Sequence, residues 1–344
     1  MKKQLFIVAA LIVLPSLLFP AFVQAKDDIN VIFITYDGVR PDEFFGKPDP
    51  KLLEGDDNLL FEYFWSEMAD KGTIYGDPKN NSQMLVSNTA LISLPGYMGI
   101  FAGFPTNCMD NKCGQATWET FPERIQRQLN LPKNKVAAIS SWDKVAKAAE
   151  SRMGKILVNA GVVPLSDGTK DAEFKKINEA QAKDLPPWPE CRLDKYTFAH
   201  AMHFLKKHRP RFLYIGLNES DDIAHEKKYD GYVAAIRQFD RMLKELRDTL
   251  KKMGSYGRKT AIVISADHGR GLGNEWHDHG TKIPYSKNIW MYISSPHKGF
   301  KPVKIKNSVH TQSDIGPTIE ALFGLKPYEC ETCGKPVKEV LTRN

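Results

Sequence analysis

Short runs of β-branched and aliphatic residues recur along the chain, each giving way to a polar or glycine-containing turn and then to longer helical spacing. Residues 30–35, 135–139, 212–217, 260–265 and 288–293 read as strands. Their continuous apolar character, rather than strict alternation, predicts a mostly parallel sheet covered on both faces. Residues 229–252 place Val233, Ile236, Phe239, Leu243, Leu246 and Leu250 at helical spacing with Lys and Arg on the other face, which predicts an amphipathic helix. The alternation of strand and helix predicts a doubly wound α/β domain, whose functional loops lie at the carboxyl ends of its strands. No repeat or low-complexity tract breaks the order. Residues 154–189, rich in Lys, Asp, Ala and Pro, read as an insertion or cap.

The first residues change the picture. Lys2 and Lys3 precede an apolar run over 5–22 and then Val23-Gln24-Ala25, which predicts a secretory signal peptide over 1–25. The expected product is an exported domain, periplasmic or secreted, over residues 26–344. An uncleaved anchor is the alternative, but Pro15 and Pro20 interrupt the run and favour cleavage, so no stable membrane insertion is expected. A composition of 42% hydrophobic and 26% charged residues supplies a core and excludes wholesale disorder. The formal charge of +7 suits an anionic small molecule, whereas no aromatic-interleaved basic stripe points to nucleic acid. Export makes disulfides reasonable: Cys108 pairs most simply with Cys113 and Cys330 with Cys333, leaving Cys191 free.

Candidate chemistry gathers where the strands are expected to end. Asp37 follows the first strand, Asp221 and His225 follow residues 212–217, and Asp267 with His268 follow residues 260–265. The four-residue spacing of Asp221 and His225 puts a carboxylate and an imidazole one turn apart, which suits a zinc ion. Trp276-His277-Asp278-His279-Gly280 adds further imidazoles, so that four of the nine histidines fall inside these clusters. Solvated loop histidines and capping aspartates would explain any one cluster; their coincidence at strand ends favours a metal centre. Ser93, two residues before Pro95, is expected at the cap of a helix, its hydroxyl facing an incoming anion with the helix dipole behind it.

Taken in order, Ile32-Phe33-Ile34-Thr35-Tyr36-Asp37-Gly38, Ser93-Leu94-Pro95-Gly96-Tyr97, Asp221 with His225, Asp267-His268-Gly269 and His279-Gly280 resemble the motif set of the alkaline phosphatase superfamily. The pattern is nearest to its nucleotide pyrophosphatase/phosphodiesterase-like branch. Ser313-Asp314-Ile315-Gly316-Pro317-Thr318-Ile319 is similar to that superfamily's closing helix. The resemblance implies an alkaline phosphatase-like fold and two divalent metal ions, with zinc the first expectation. It implies that Asp37, Ser93, Asp267 and His268 surround one ion and that Asp221, His225 and His279 hold the other. Asp222 in place of Asp221, and His277 in place of His279, stay open. The implied activity is hydrolysis of a small phosphate ester through a phosphoseryl intermediate on Ser93. Asn111, with Asn107 as the other choice, would hold a phosphoryl oxygen. Three relatives compete. Sulfatases share the fold, but Tyr97 stands where their motif has arginine; phosphomutases lack export signals; a non-catalytic metal-binding relative would not need the full ligand set.

Overall fold

The structure, a computed structural model, describes residues 28–162, 171–297 and 300–341; the expected signal peptide and the alternative anchor lie outside them. Among the described residues no helix is long and apolar enough to cross a membrane. The strands are β1 (Asn30–Tyr36), β2 (Thr73–Tyr75), β3 (Ser82–Leu85), β4 (Val136–Ser140), β5 (Leu157–Ala160), β6 (Phe212–Leu217), β7 (Thr260–Ser265), β8 (Asn288–Ile289), β9 (Met291–Ser294) and β10 (Ser308–Thr311). Seven of them form one sheet in the order β2-β9-β7-β1-β6-β4-β5. The five strands from β7 to β5 run parallel, with Phe33 level with Tyr214 on one side and Val263 on the other.

The apolar runs explain this layering. Along β1, Val31 and Phe33 enter one core while Ile32, Ile34 and Tyr36 enter the other, so a strand buried on both faces needs apolar residues at nearly every position. The first core meets the Ser93–Ala102, Phe121–Gln128 and Ile315–Leu322 helices; the second meets the Asp194–His208 and Tyr229–Lys252 helices. The Tyr229–Lys252 helix has the predicted bounds and buries its predicted stripe.

Residues 288–293 do not form the single parallel strand that their apolar character suggests. The run breaks at Trp290 into β8, in a small sheet with β3 and β10, and β9, which pairs antiparallel with β7. Trp290 itself causes the break. Its ring stacks on Phe44 with centroids 3.6 Å apart, its Nε1 donates to Val39 O, and its carbonyl accepts from the Ser265 side-chain Oγ at 2.7 Å. Within the segment expected as an insertion or cap, residues 157–160 form edge strand β5 of the main sheet, and the Ala172–Gln181 helix packs on the Asp194–His208 helix. Both expected disulfides are present, and Cys191 is free and buried.

Candidate metal centre and its serine

Two carboxylates come from neighbouring strand ends. Asp37 leaves β1 and Asp267 leaves β7, two residues beyond the paired Thr35 and Ser265, so the register of the sheet itself brings them level. Both are fully buried. Tyr97 OH donates to Asp37 Oδ2 at 2.9 Å, and Gly38 N donates to Asp267 Oδ1 at 3.0 Å. The other two oxygens, Asp37 Oδ1 and Asp267 Oδ2, have no well-formed hydrogen bond among the described residues; His268 Nε2 stands 3.3 and 3.5 Å from them. Anionic oxygens buried in this way are costly unless a cation holds them. Carboxylate oxygens with an imidazole nitrogen make a donor set that fits a divalent metal.

Ser93 reaches the same point from the other side. It is the first residue of the Ser93–Ala102 helix rather than its cap; the cap is Ile92, whose extended backbone turns the chain in. All ten residues of that helix are buried, as expected for one apolar on every face. Ser93 Oγ lies 3.2 Å from His268 Nε2, and Tyr97, one turn later on the same face, is the residue that bonds Asp37. Gly96 sits between them, where a Cβ would come 2.6 Å from Asp267 O. The helix backbone thus rests directly on the Asp267 turn. Asn111 Oδ1 accepts from Leu94 N at 3.0 Å, while Asn107 is exposed and makes no such contact among the described residues.

The remaining residues extend the cluster. Asp221 and His225 lie on the Glu219–His225 helix that follows β6, with Asp221 Oδ2 3.2 Å from His225 Nε2. His279 Nε2 lies 3.0 Å from His225 Nε2 and 3.6 Å from Asp221 Oδ1, and its ring stacks on His268 with centroids 3.9 Å apart. His268 Nε2 is also 3.7 Å from Asp221 Oδ1. The two expected groups therefore form one continuous cluster with His268 at the junction. Asp221, His268 and His279 gather their donors at one point, and Asp37, Asp267 and His268 at another. Asp222 turns instead to Asn218 Nδ2 at 2.5 Å, and burial pushes its carboxyl up to about 7. His277 packs edge-on against Trp276.

Electrostatics follow the same geometry. Burial and the adjacent Asp37 carboxylate push Asp267 well above the usual carboxylate range. Burial alone would discharge His268, but the Asp267 and Asp37 carboxylates override it and raise its pKa to about 9. His225 and His279 are lowered by burial and then by the His268 charge.

Two neighbours carry more than their sequence signal suggests. Along the chain Tyr97 stands out only for occupying an arginine's place, although its spacing of four from Ser93 marks a shared helix face. Arg270 is fully buried beneath the site. Its Nε donates to Gly38 O at 3.1 Å, a terminal nitrogen donates to His277 O at 2.8 Å, and the other pairs with the Asp221 carboxylate. Gly38, with φ of +64°, makes room for this; a Cβ there would lie 2.8 Å from both Arg270 and Asp221. Lys144 pairs with Glu190 and stands over the Trp142 ring.

Comparison with known proteins bears on the family and the fold. A family described as the Metalloenzyme superfamily matches residues 66–311. Among solved structures, the wild-type alkaline phosphatase PafA superposes with a TM-score of 0.63 at 11% identity, covering 91% of this chain and 98% of that one. A protein of the alkaline phosphatase superfamily from Vibrio parahaemolyticus gives a TM-score of 0.55 at 17% identity, covering 86% of this chain and 66% of that one. A phosphopentomutase from Pectobacterium carotovorum subsp. carotovorum (strain PC1) is 32% identical over 107 residues, 30% of this chain; the match spans only 22% of that relative. These likenesses fix the alkaline phosphatase-like fold and do not single out the nucleotide pyrophosphatase/phosphodiesterase-like branch.

Proposed function

This chain belongs to the Metalloenzyme superfamily, and from that premise we propose that it is an exported hydrolase of small phosphate esters, diesters in preference to monoesters, acting through Ser93. One observation carries the reading: Ser93 Oγ lies 3.2 Å from His268 Nε2, which stands beside the unpartnered oxygens of Asp37 and Asp267. Asp37, Ser93, Asp267 and His268 would hold one divalent ion and Asp221, His225 and His279 the other, zinc being favoured by the three imidazoles. When bound, such ions supply positive charge that makes the serine hydroxyl easier to ionise and offsets negative charge on the phosphoryl group.

The chain's own groups supply the rest. Ser93 Oγ forms the bond to phosphorus as the ester oxygen on the opposite side leaves, giving a phosphoseryl enzyme, and water then cleaves the Oγ–P bond to regenerate serine. The Ser93 helix aims its first-turn dipole at the developing negative charge. Tyr97 fixes the Asp37 carboxylate, and Leu91 O fixes the His279 ring through Nδ1 at 3.1 Å. Diester preference is supported by the commitment of Arg270 to Asp221 and of Lys144 to Glu190, which leaves neither free to neutralise the second charge of a monoester. Export is supported by the two disulfides.

The test is a panel of bis-nitrophenyl phosphate, nitrophenyl phosphate and nitrophenyl sulfate, run beside elemental analysis of the purified protein. The diester should be cleaved fastest. Ser93→Ala should lose turnover by at least about a thousandfold while other side chains retain the metal. Faster sulfate cleavage, or substantial turnover by Ser93→Ala, would remove this reading.

A further inference from the structure

Between Ala102 and Phe121 the chain passes through 18 residues, 103–120, without helix or strand. Asn111 lies in the middle of this stretch, yet its Oδ1 meets Leu94 N, one residue from Ser93. That bond leaves Asn111 Nδ2 without a hydrogen-bond partner among the described residues.

The stretch is anchored on both flanks. Thr106 N donates to Asn88 Oδ1 at 2.6 Å, and Asn88 Nδ2 donates back to Thr106 Oγ1 at 3.1 Å. On the far side, Ala116 N donates to Lys147 O at 2.8 Å and Lys147 Nζ to Cys113 O at 3.2 Å. Between these anchors the hydrogen bonds are local, Lys112 N to Asp110 Oδ1 at 2.8 Å and Cys113 N to Asp110 O at 3.5 Å, and Met109 is exposed. What closes this short loop is the Cys108–Cys113 bridge, whose sulfurs pack against the core while their Cα atoms stand 5.8 Å apart. A loop free to sample other shapes would pay its ordering entropy out of a single Asn111–Leu94 bond, which is too weak to hold it.

We propose that the Cys108–Cys113 disulfide is a positioning element of the site: it holds Asn111 against the first turn of the Ser93 helix, where Nδ2 meets a phosphoryl oxygen. The proposal rests on the phosphate-ester reading above. Opening the bridge with dithiothreitol breaks the S–S bond into two thiols and turns the reagent into its cyclic disulfide. Asn111 then loses its place and the site its donor.

The experiment uses the full chain with metal bound. Inorganic phosphate binding is followed by calorimetry, and kcat and KM are followed for bis-nitrophenyl phosphate, with melting as a check on folding. Paired Cys108→Ser and Cys113→Ser changes, and Asn111→Ala alone, should each weaken phosphate binding and kcat/KM by about five- to tenfold. Combining all three should do no more than Asn111→Ala, and paired Cys330→Ser and Cys333→Ser changes should leave both readouts within about twofold. If the Cys108/Cys113 pair fails to fold when changed, reduction in the Cys330/Cys333 background replaces it; Asn111→Ala should then be insensitive to reductant. Losses that multiply in the combined variant, or an open loop that binds phosphate normally, would overturn the bridge's role. A wild type that binds phosphate with the predicted loop dependence but cleaves no ester would sink the hydrolase reading alone; one that binds no phosphate would sink both.

Discussion

The two sides of the site are built differently. Asp37, Asp267 and His268 sit just past adjacent parallel strands, are fully buried, and take their spacing from the register of β1 and β7. His225 ends a short helix with about half its side chain exposed, and His279 and Asn111 ride on irregular chain. Strand ends place a side chain with the accuracy of the sheet. Loop residues need a separate tie: a backbone carbonyl for His279, a disulfide for the Asn111 loop. The strand-end side should therefore be costly to disturb and the loop side forgiving.

The widest gap is expected between Asp267→Asn and His225→Ala. Asp267→Asn should lower ester turnover by on the order of a thousandfold and shed metal, because it removes an anionic oxygen from the most buried part of the centre. His225→Ala should weaken metal affinity by only on the order of tenfold, the effect of about 1.4 kcal/mol. Metal titrations read by elemental analysis and turnover would break the contrast if the two variants behaved alike. Chelation should likewise lower the melting temperature, since Asp37 Oδ1 and Asp267 Oδ2 then lie buried without a cation.

A smaller effect separates support from chemistry. Arg270→Ala should cost about 3 kcal/mol of stability, because it strands the Gly38 and His277 carbonyls and the Asp221 carboxylate together. Urea unfolding would check this; a loss below about 1 kcal/mol would show that Arg270 does not brace the centre.

The smallest expected effect lies away from the site. His200 is fully buried against Phe174, neither ring nitrogen has a hydrogen bond among the described residues, and burial lowers its pKa to about 3. The unfolded chain takes up a proton there as pH falls below 6.5, whereas the folded chain does not until about 3, so stability is lost across that window. His200→Phe should recover about 1 kcal/mol at pH 5.5 relative to pH 7.5, read from urea midpoints. Equal pH slopes in the two proteins would refute a neutral buried imidazole.

The same division governs how much of the molecule is legible in its sequence. Apolar runs identify the five parallel strands except β5, and the residues after three of them carry most of the centre. Strands β2, β3 and β10, of three or four residues, are too short for a periodic signal. The break at Trp290 is hidden because an apolar run looks the same whether it stays in one sheet or crosses to another. Cap rules put Ser93 one position too early, since extended Ile92 caps through its backbone and offers no polar side chain to mark the boundary. Spacing along the chain cannot reveal that His268 joins the two ligand groups, because that junction comes from stacking between residues from different turns.

Gly96 has a wider consequence. With no side chain between the Ser93 helix and the Asp267 turn, the Ser93 hydroxyl and the carboxylates are held as one block, so neither can be shifted without dragging the other. On the proposed reading, a preference for one ester over another would then have to be set by residues outside that block, where a side chain can change without shifting the serine against the carboxylates.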